Sequence, residues 1–127
     1  MKMKFTKIYV DNQDRALTFY TEVVGFLKKA DFLVGSFRWL TVVSPEEPDG
    51  TELLLEPNDK GAPKISQAAL FQQGIPATAF AVSDIQQEYE RLKRLGVVWS
   101  REPTQVGPVT IAVFDDTCGN LIQLVQV

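Results

Sequence analysis

Histidine is absent from this chain of 127 residues. The absence removes the most versatile metal-binding side chain and every serine–histidine or cysteine–histidine catalytic pair. Cysteine occurs once, at Cys118, so no internal disulfide forms, which fits a reducing compartment. A nucleophilic thiol ordinarily has a basic neighbour. Cys118 instead follows Asp115 and Asp116 in a turn that runs on to Gly119 and Asn120. No apolar run approaches the ~20 residues needed to cross a bilayer. The basic start Met1-Lys2-Met3-Lys4 leads straight into a strand-like stretch, without the apolar segment of a signal peptide. The chain is therefore expected in the cytoplasm, with no membrane partner. Basic surface is also lacking: the net charge is −3, which argues against nucleic acid as a partner. Glycine-rich nucleotide-binding motifs and the calcium loop spacing of an EF-hand do not occur.

What is present is one pattern read twice. Phe5 to Val10 alternates like a strand, and Asp11-Asn12 offers a helix N-cap. Gln13 to Val24 then carries Ala16, Leu17, Tyr20, Val23 and Val24 at helical spacing, and Gly25 supplies a left-handed C-cap. Strand-like stretches follow at Phe26–Leu33, Phe37–Val43 and Thr51–Glu56, with turn chemistry at Gly35 and at Pro48-Asp49-Gly50. The second copy starts at Thr78–Val82. Asp84 caps a helix whose apolar stripe is Ile85, Tyr89, Leu92 and Leu95, and Gly96 closes it as Gly25 closes the first. Strand-like stretches recur at Val97–Arg101, Pro108–Phe114 and Leu121–Gln126. Between the copies, the turn-rich Pro57–Pro63 precedes a short helical pattern over Lys64–Gln73, with Ile65, Ala68, Ala69 and Phe71 on one side. The expected architecture is α+β, with one βαβββ module over about 4–57, a linker over 58–75 and a second module over about 76–127.

Two segments carry a resemblance. Arg15-Ala16-Leu17-Thr18-Phe19-Tyr20, running on to Gly25-Phe26, and the later Asp116-Thr117-Cys118-Gly119-Asn120-Leu121-Ile122-Gln123-Leu124 resemble the glyoxalase/bleomycin-resistance/dioxygenase superfamily, also called vicinal oxygen chelate proteins. The resemblance covers essentially the whole chain. It implies a single domain of two βαβββ modules whose sheets curve around a ligand cleft, and a homodimer. It also implies a divalent metal held by four residues. Matched one by one, those positions fall on Phe5, Glu52, Ala77 and Gln123. Phenylalanine and alanine have no donor atom, and a carboxamide oxygen is a far weaker ligand than a carboxylate. No metal and no cofactor are expected on this set, and Asp115 and Asp116 are read as turn formers.

The remaining candidates are those of a small-molecule site. Phe5, Lys7 and Tyr9 share one strand face, and Glu52 shares another with Leu54 and Glu56. Glu52 either is satisfied by Lys7, Arg38 or the Gln123 amide, or contacts a ligand and serves as a general base. If it is buried and unpaired, Glu52→Gln stabilises the protein. Ala77, Ala79 and Ala81 share a face and either deepen a pocket or pack closely. Phe32, Phe37, Trp39 and Trp99 supply aromatic surface, and Arg38 beside Trp39 either anchors an anionic group or is solvated. The ligand-binding set is thus Phe5, Tyr9, Arg38, Trp39, Glu52, Ala77 and Gln123. The favoured function is metal-independent binding of a small molecule, such as a drug or toxin. The alternative is an enzyme of lyase, isomerase or dioxygenase type with an atypical or metal-free site using Glu52.

Overall fold

The computed structural model describes residues 1–127, and the chain divides into two compact units, Met1–Lys64 and Ile65–Val127. In the first, strand β1 (Phe5–Val10) is followed by helix α1 (Gln13–Thr18), and then by β2 (Leu27–Val34), β3 (Phe37–Val43) and β4 (Glu52–Pro57). The strands form one sheet in the order β1-β4-β3-β2, with β1 parallel to β4 and the other pairs antiparallel. Asn12 caps α1 as expected, its side chain accepting from the Arg15 amide at 2.9 Å. The helix does not run on to Val24 in α form. From Phe19 to Val23 it widens to a π-helix, the Val24 amide reaching the Phe19 carbonyl at 3.1 Å. That widening admits one more residue to the turn. It accompanies the burial of both Phe19 and the fully enclosed Tyr20 on the helix-bearing side of the sheet, where Ile8, Val10, Leu40, Val42, Leu53 and Leu55 are also buried. Gly25 then takes a φ of 99°, the left-handed turn that only glycine adopts cheaply.

The second unit repeats the plan. Its elements are α2 (Gly61–Gln72, which starts in the first unit), β5 (Thr78–Val82), α3 (Ile85–Arg94), β6 (Trp99–Val106), β7 (Val109–Asp115) and β8 (Leu121–Gln126). The sheet order is β5-β8-β7-β6, again with the first and last strands of the module paired parallel. Asp84 caps α3 through the Gln87 amide at 3.0 Å, and Ile85, Tyr89 and Leu92 are buried against the sheet side that carries Ile122, Leu124 and Phe114. Burial of each such side chain contributes roughly 1.5–3 kcal/mol.

Two further expectations change. Strand β6 continues past Arg101 to Val106, through Pro103. Proline cannot donate to a ladder, and it falls where the pairing with β7 slips between Arg101 and Thr104, so the bulge absorbs it. On α2, Ile65 and Phe71 are exposed, and the one buried side chain is Gln67. The helix is therefore held by a polar anchor instead of the apolar stripe.

Candidate functional site

The sheet face of the first unit that lacks a helix gathers most of the residues singled out above. Side chains alternate across a strand, and directly paired residues share a face. Phe5 is opposite Glu52, Lys7 opposite Leu54 and Tyr9 opposite Glu56. Thr41 is opposite Leu54, and Trp39 opposite Phe32. These residues form one surface. The Phe5 and Trp39 rings meet edge-on at 5.5 Å between centroids, and the Phe32 ring stacks on Trp39 at 6.4 Å and 22°. Since β4 runs between β1 and β3, the Phe5 and Trp39 rings meet across its middle, where Leu54 is buried. Phe5 and Phe32 are both more than half exposed, at 53% and 54%.

Glu52 is 7% exposed and has partners that sequence reasoning missed. The Thr41 hydroxyl donates to Oε1 at 2.7 Å, and the Lys4 ammonium stands 3.8 Å from Oε2. Lys4 is itself fixed: its Nζ donates to the Asp49 and Gly50 carbonyls at 2.9 and 2.8 Å, and its own carbonyl accepts from the Glu52 amide at 2.8 Å. Neither Lys7 nor Arg38 is the ion partner of Glu52. Lys7 pairs with Glu56 at 3.8 Å and lies over the Tyr9 ring. The signal available in the sequence was Thr41 itself, a lone polar residue in the otherwise apolar stretch Leu40–Val43 and on the same face as Trp39.

Arg38 lies on the opposite face from Trp39 by alternation. Its guanidinium holds Asp31 with two bonds, at 2.9 and 3.0 Å, and Asp14 with one at 2.6 Å. The hydrogen bonds from Arg38 lower the Asp31 carboxyl below its usual range, against a small opposing desolvation. The bonds to Asp31 and then Asp14 raise Arg38 further above a value already beyond titration. A side chain so engaged clamps β2, β3 and α1 together, and it is not grouped with Phe5, Trp39 and Glu52.

In the second unit Ala79 is opposite Gln123, and the Ala77 amide donates to the Leu121 carbonyl at 2.8 Å. Ala77, just before β5, and Ala79 and Ala81 within it are exposed. The turn after β7 is closed by carboxylates, as their positions suggested. Asp115 accepts from the Thr117 amide at 2.8 Å, and the fully buried Asp116 from the amides of Cys118 and Asn120 and from the Asn120 side chain, at 2.8 to 2.9 Å. Gln67 on α2 completes the cluster by donating to the Cys118 carbonyl at 3.3 Å and to Asn120 Oδ1 at 3.2 Å. Cys118 is fully enclosed there.

The architecture and the turn motif agree with one sequence profile, that of the Glyoxalase/Bleomycin resistance protein/Dioxygenase superfamily, which matches residues 2–124. The chain belongs to that superfamily. It is similar to YurT of Bacillus subtilis, with 61% identity over 126 residues, covering 99% of both chains. It is similar also to a lactoylglutathione lyase of Neisseria meningitidis serogroup B, with 30% identity over 131 residues, covering 99% of this chain and 91% of the lyase. Among solved structures it resembles TnmS3, an antibiotic binding protein from Streptomyces sp. CB03234, with a TM-score of 0.76 and 26% identity, covering 99% of this chain and 95% of TnmS3.

The superfamily's metal is poorly served by these residues. No three side chains of the His, Cys, Asp and Glu types gather in a group able to hold an ion. The registers of the superfamily modules sharpen the point. When the two copies are superposed on their caps, Asn12 and Asp84, Phe5 corresponds to Ala77 and Lys7 to Ala79. Gln123, opposite Ala79, then has Leu54 as its counterpart, and Glu52 corresponds to Leu121. Of the matched positions, the phenyl and methyl groups offer no donor and the carboxamide a weak one, which leaves one carboxylate, too few for a divalent ion.

Proposed function

We propose that this superfamily member binds a small aromatic molecule without a metal, on the sheet face of its first unit, and that it sequesters a drug or toxin. The observation that carries the reading is the pairing of Glu52. Its charge is compensated by Lys4 and one oxygen accepts from Thr41, while Phe5, Trp39 and Phe32 leave aromatic surface open beside it. An apolar surface with a few fixed polar groups is the general form of a small-molecule site. The likeness to an antibiotic binding protein supports the same class. Phe5, Tyr9, Trp39 and Glu52 are the proposed contacts on that face. A homodimer and residence in the cytoplasm belong to this reading; no helix is long and apolar enough to cross a membrane.

A thermal-shift screen tests it. Planar aromatic compounds are expected to raise the melting temperature, by mass action on the folded state, and Trp39→Ala to remove the shift. Stabilisation by divalent ions alone contradicts it. The likeness to a lactoylglutathione lyase favours a second reading, an enzyme in which Glu52 is the base. Turnover lost on Glu52→Gln, in a protein that still folds, selects that reading.

A further inference from the structure

The charges on the proposed binding face are matched one for one. Glu52 has Lys4 at 3.8 Å and Glu56 has Lys7 at 3.8 Å. Each ammonium supplies the counter-charge of one carboxylate, so a cation from outside has no uncompensated anion to meet. Glu52 nevertheless keeps room to accept. A carboxylate offers about four lone-pair sites. The Thr41 hydroxyl takes one on Oε1, and Lys4 stands beyond hydrogen-bond length from Oε2. Lys4 is held in that position by the Asp49 and Gly50 carbonyls, which take two of its three protons. Phe5 flanks Glu52 on the neighbouring strand, about 5 Å away at the backbone. Its ring is the near edge of the surface made with Trp39 and Phe32.

We propose that this face selects a neutral, flat aromatic molecule bearing a hydroxyl or other neutral N–H or O–H donor, its ring on Trp39 and Phe5 and its donor on Glu52, and that Lys4 sets the preference for neutral over cationic ligands. The inference rests on the binder reading above and names the ligand class of the same face. The superfamily's metal has no part in it, because the positive charge beside Glu52 is built into the chain.

Isothermal titration calorimetry with three probes separates the possibilities: β-naphthol, its methyl ether, and naphthylmethylammonium. The full chain is expected to bind naphthol about ten-fold tighter than the ether, the ordinary worth of one hydrogen bond to a charged acceptor, and to bind the ammonium no tighter than naphthol. Lys4→Met leaves Glu52 without its counter-charge and is expected to put the ammonium first. Lys4→Arg keeps the charge and is expected to keep the original order, which separates the charge of Lys4 from its grip on the turn. If Lys4→Met does not fold, Glu52→Gln serves instead and is expected to shrink the preference for naphthol over its ether. Equal affinity for naphthol and ether in the unaltered protein overturns the inference but leaves the aromatic binder standing. So does preference for the ammonium, or an order that Lys4→Met does not change. Failure of all three probes to bind overturns both.

Discussion

Removing one hydroxyl tests the environment of Glu52 directly. Thr41→Val is nearly isosteric and deletes the donor that lies 2.7 Å from Glu52 Oε1. Both residues are buried, at 0% and 7% exposed, so water replaces the lost bond poorly. A hydrogen bond to a charged group is worth about 1.5–3 kcal/mol. The ion pair with Lys4 survives the change, so the expected loss is about 2 kcal/mol, equivalent to roughly 6–10 °C in melting temperature for a chain of this size. Glu52→Gln is milder, because the amide oxygen still accepts from Thr41. It removes the pairing with Lys4, whose side chain is 31% exposed, and is expected to cost under about 1 kcal/mol. This replaces the sequence expectation that Glu52→Gln stabilises, which required an unpaired carboxylate. Urea unfolding of the two single variants measures both losses. A neutral Thr41→Val refutes the assignment of Thr41 as the partner of Glu52.

Other residues give independent checks. Gly119→Ala is expected to destabilise by about 2 kcal/mol or more, because φ is 103° and a Cβ there meets Gln67 Nε2 at 2.7 Å, whereas Gly96→Ala, with open space around it, pays only the conformational strain of a left-handed residue; denaturant titration ranks the two. Gln67→Ala removes the amide that donates to Asn120 and to the Cys118 carbonyl, so it is expected to cost about 1–2 kcal/mol and to loosen α2 in hydrogen exchange. Trp99→Phe is expected to cost less than about 1 kcal/mol, since the buried indole N–H has no partner and the ring contacts with Tyr89 and Phe114 survive; a larger loss reveals a missing acceptor. The Asp31 carboxyl is lower in the folded protein than its ordinary 3.8, so its contribution is complete above that value and is lost as pH falls through the folded value. Asp31→Asn is therefore expected to flatten the acid limb of the stability profile, and an unchanged limb contradicts the Arg38 clamp.

The elements legible in the sequence were those with local signals. Asn12 and Asp84 announced the helix starts, and Gly25 and Gly96 their ends, because caps and left-handed glycines depend only on near neighbours. The paired modules followed from the recurrence of that order. What escaped depends on partners distant in the chain. The π-helical stretch answers to where Phe19 and Tyr20 must go against the sheet, and the passage of β6 through Pro103 answers to its pairing with β7. Gln67 carries no local signal, since nothing near it in the sequence shows that its amide reaches Asn120 and Cys118. In the candidate site, the aromatic face and the burial of Glu52 could be inferred from alternation. The pairing of Glu52 with Thr41 and Lys4 could not, because one partner lies within β3 and the other just before β1, and only the sheet brings them together. That Gln123 corresponds in the repeat to Leu54, and not to Glu52, emerges only from the strand registers.

Metal content, measured by mass spectrometry on protein purified without chelator, bears most directly on the claim that this superfamily member works without an ion. Far less than one divalent metal per chain is predicted, unchanged after incubation with zinc, nickel or cobalt and desalting. A stoichiometric ion that survives desalting, and that leaves when Glu52 or Gln123 is replaced by alanine, contradicts the account.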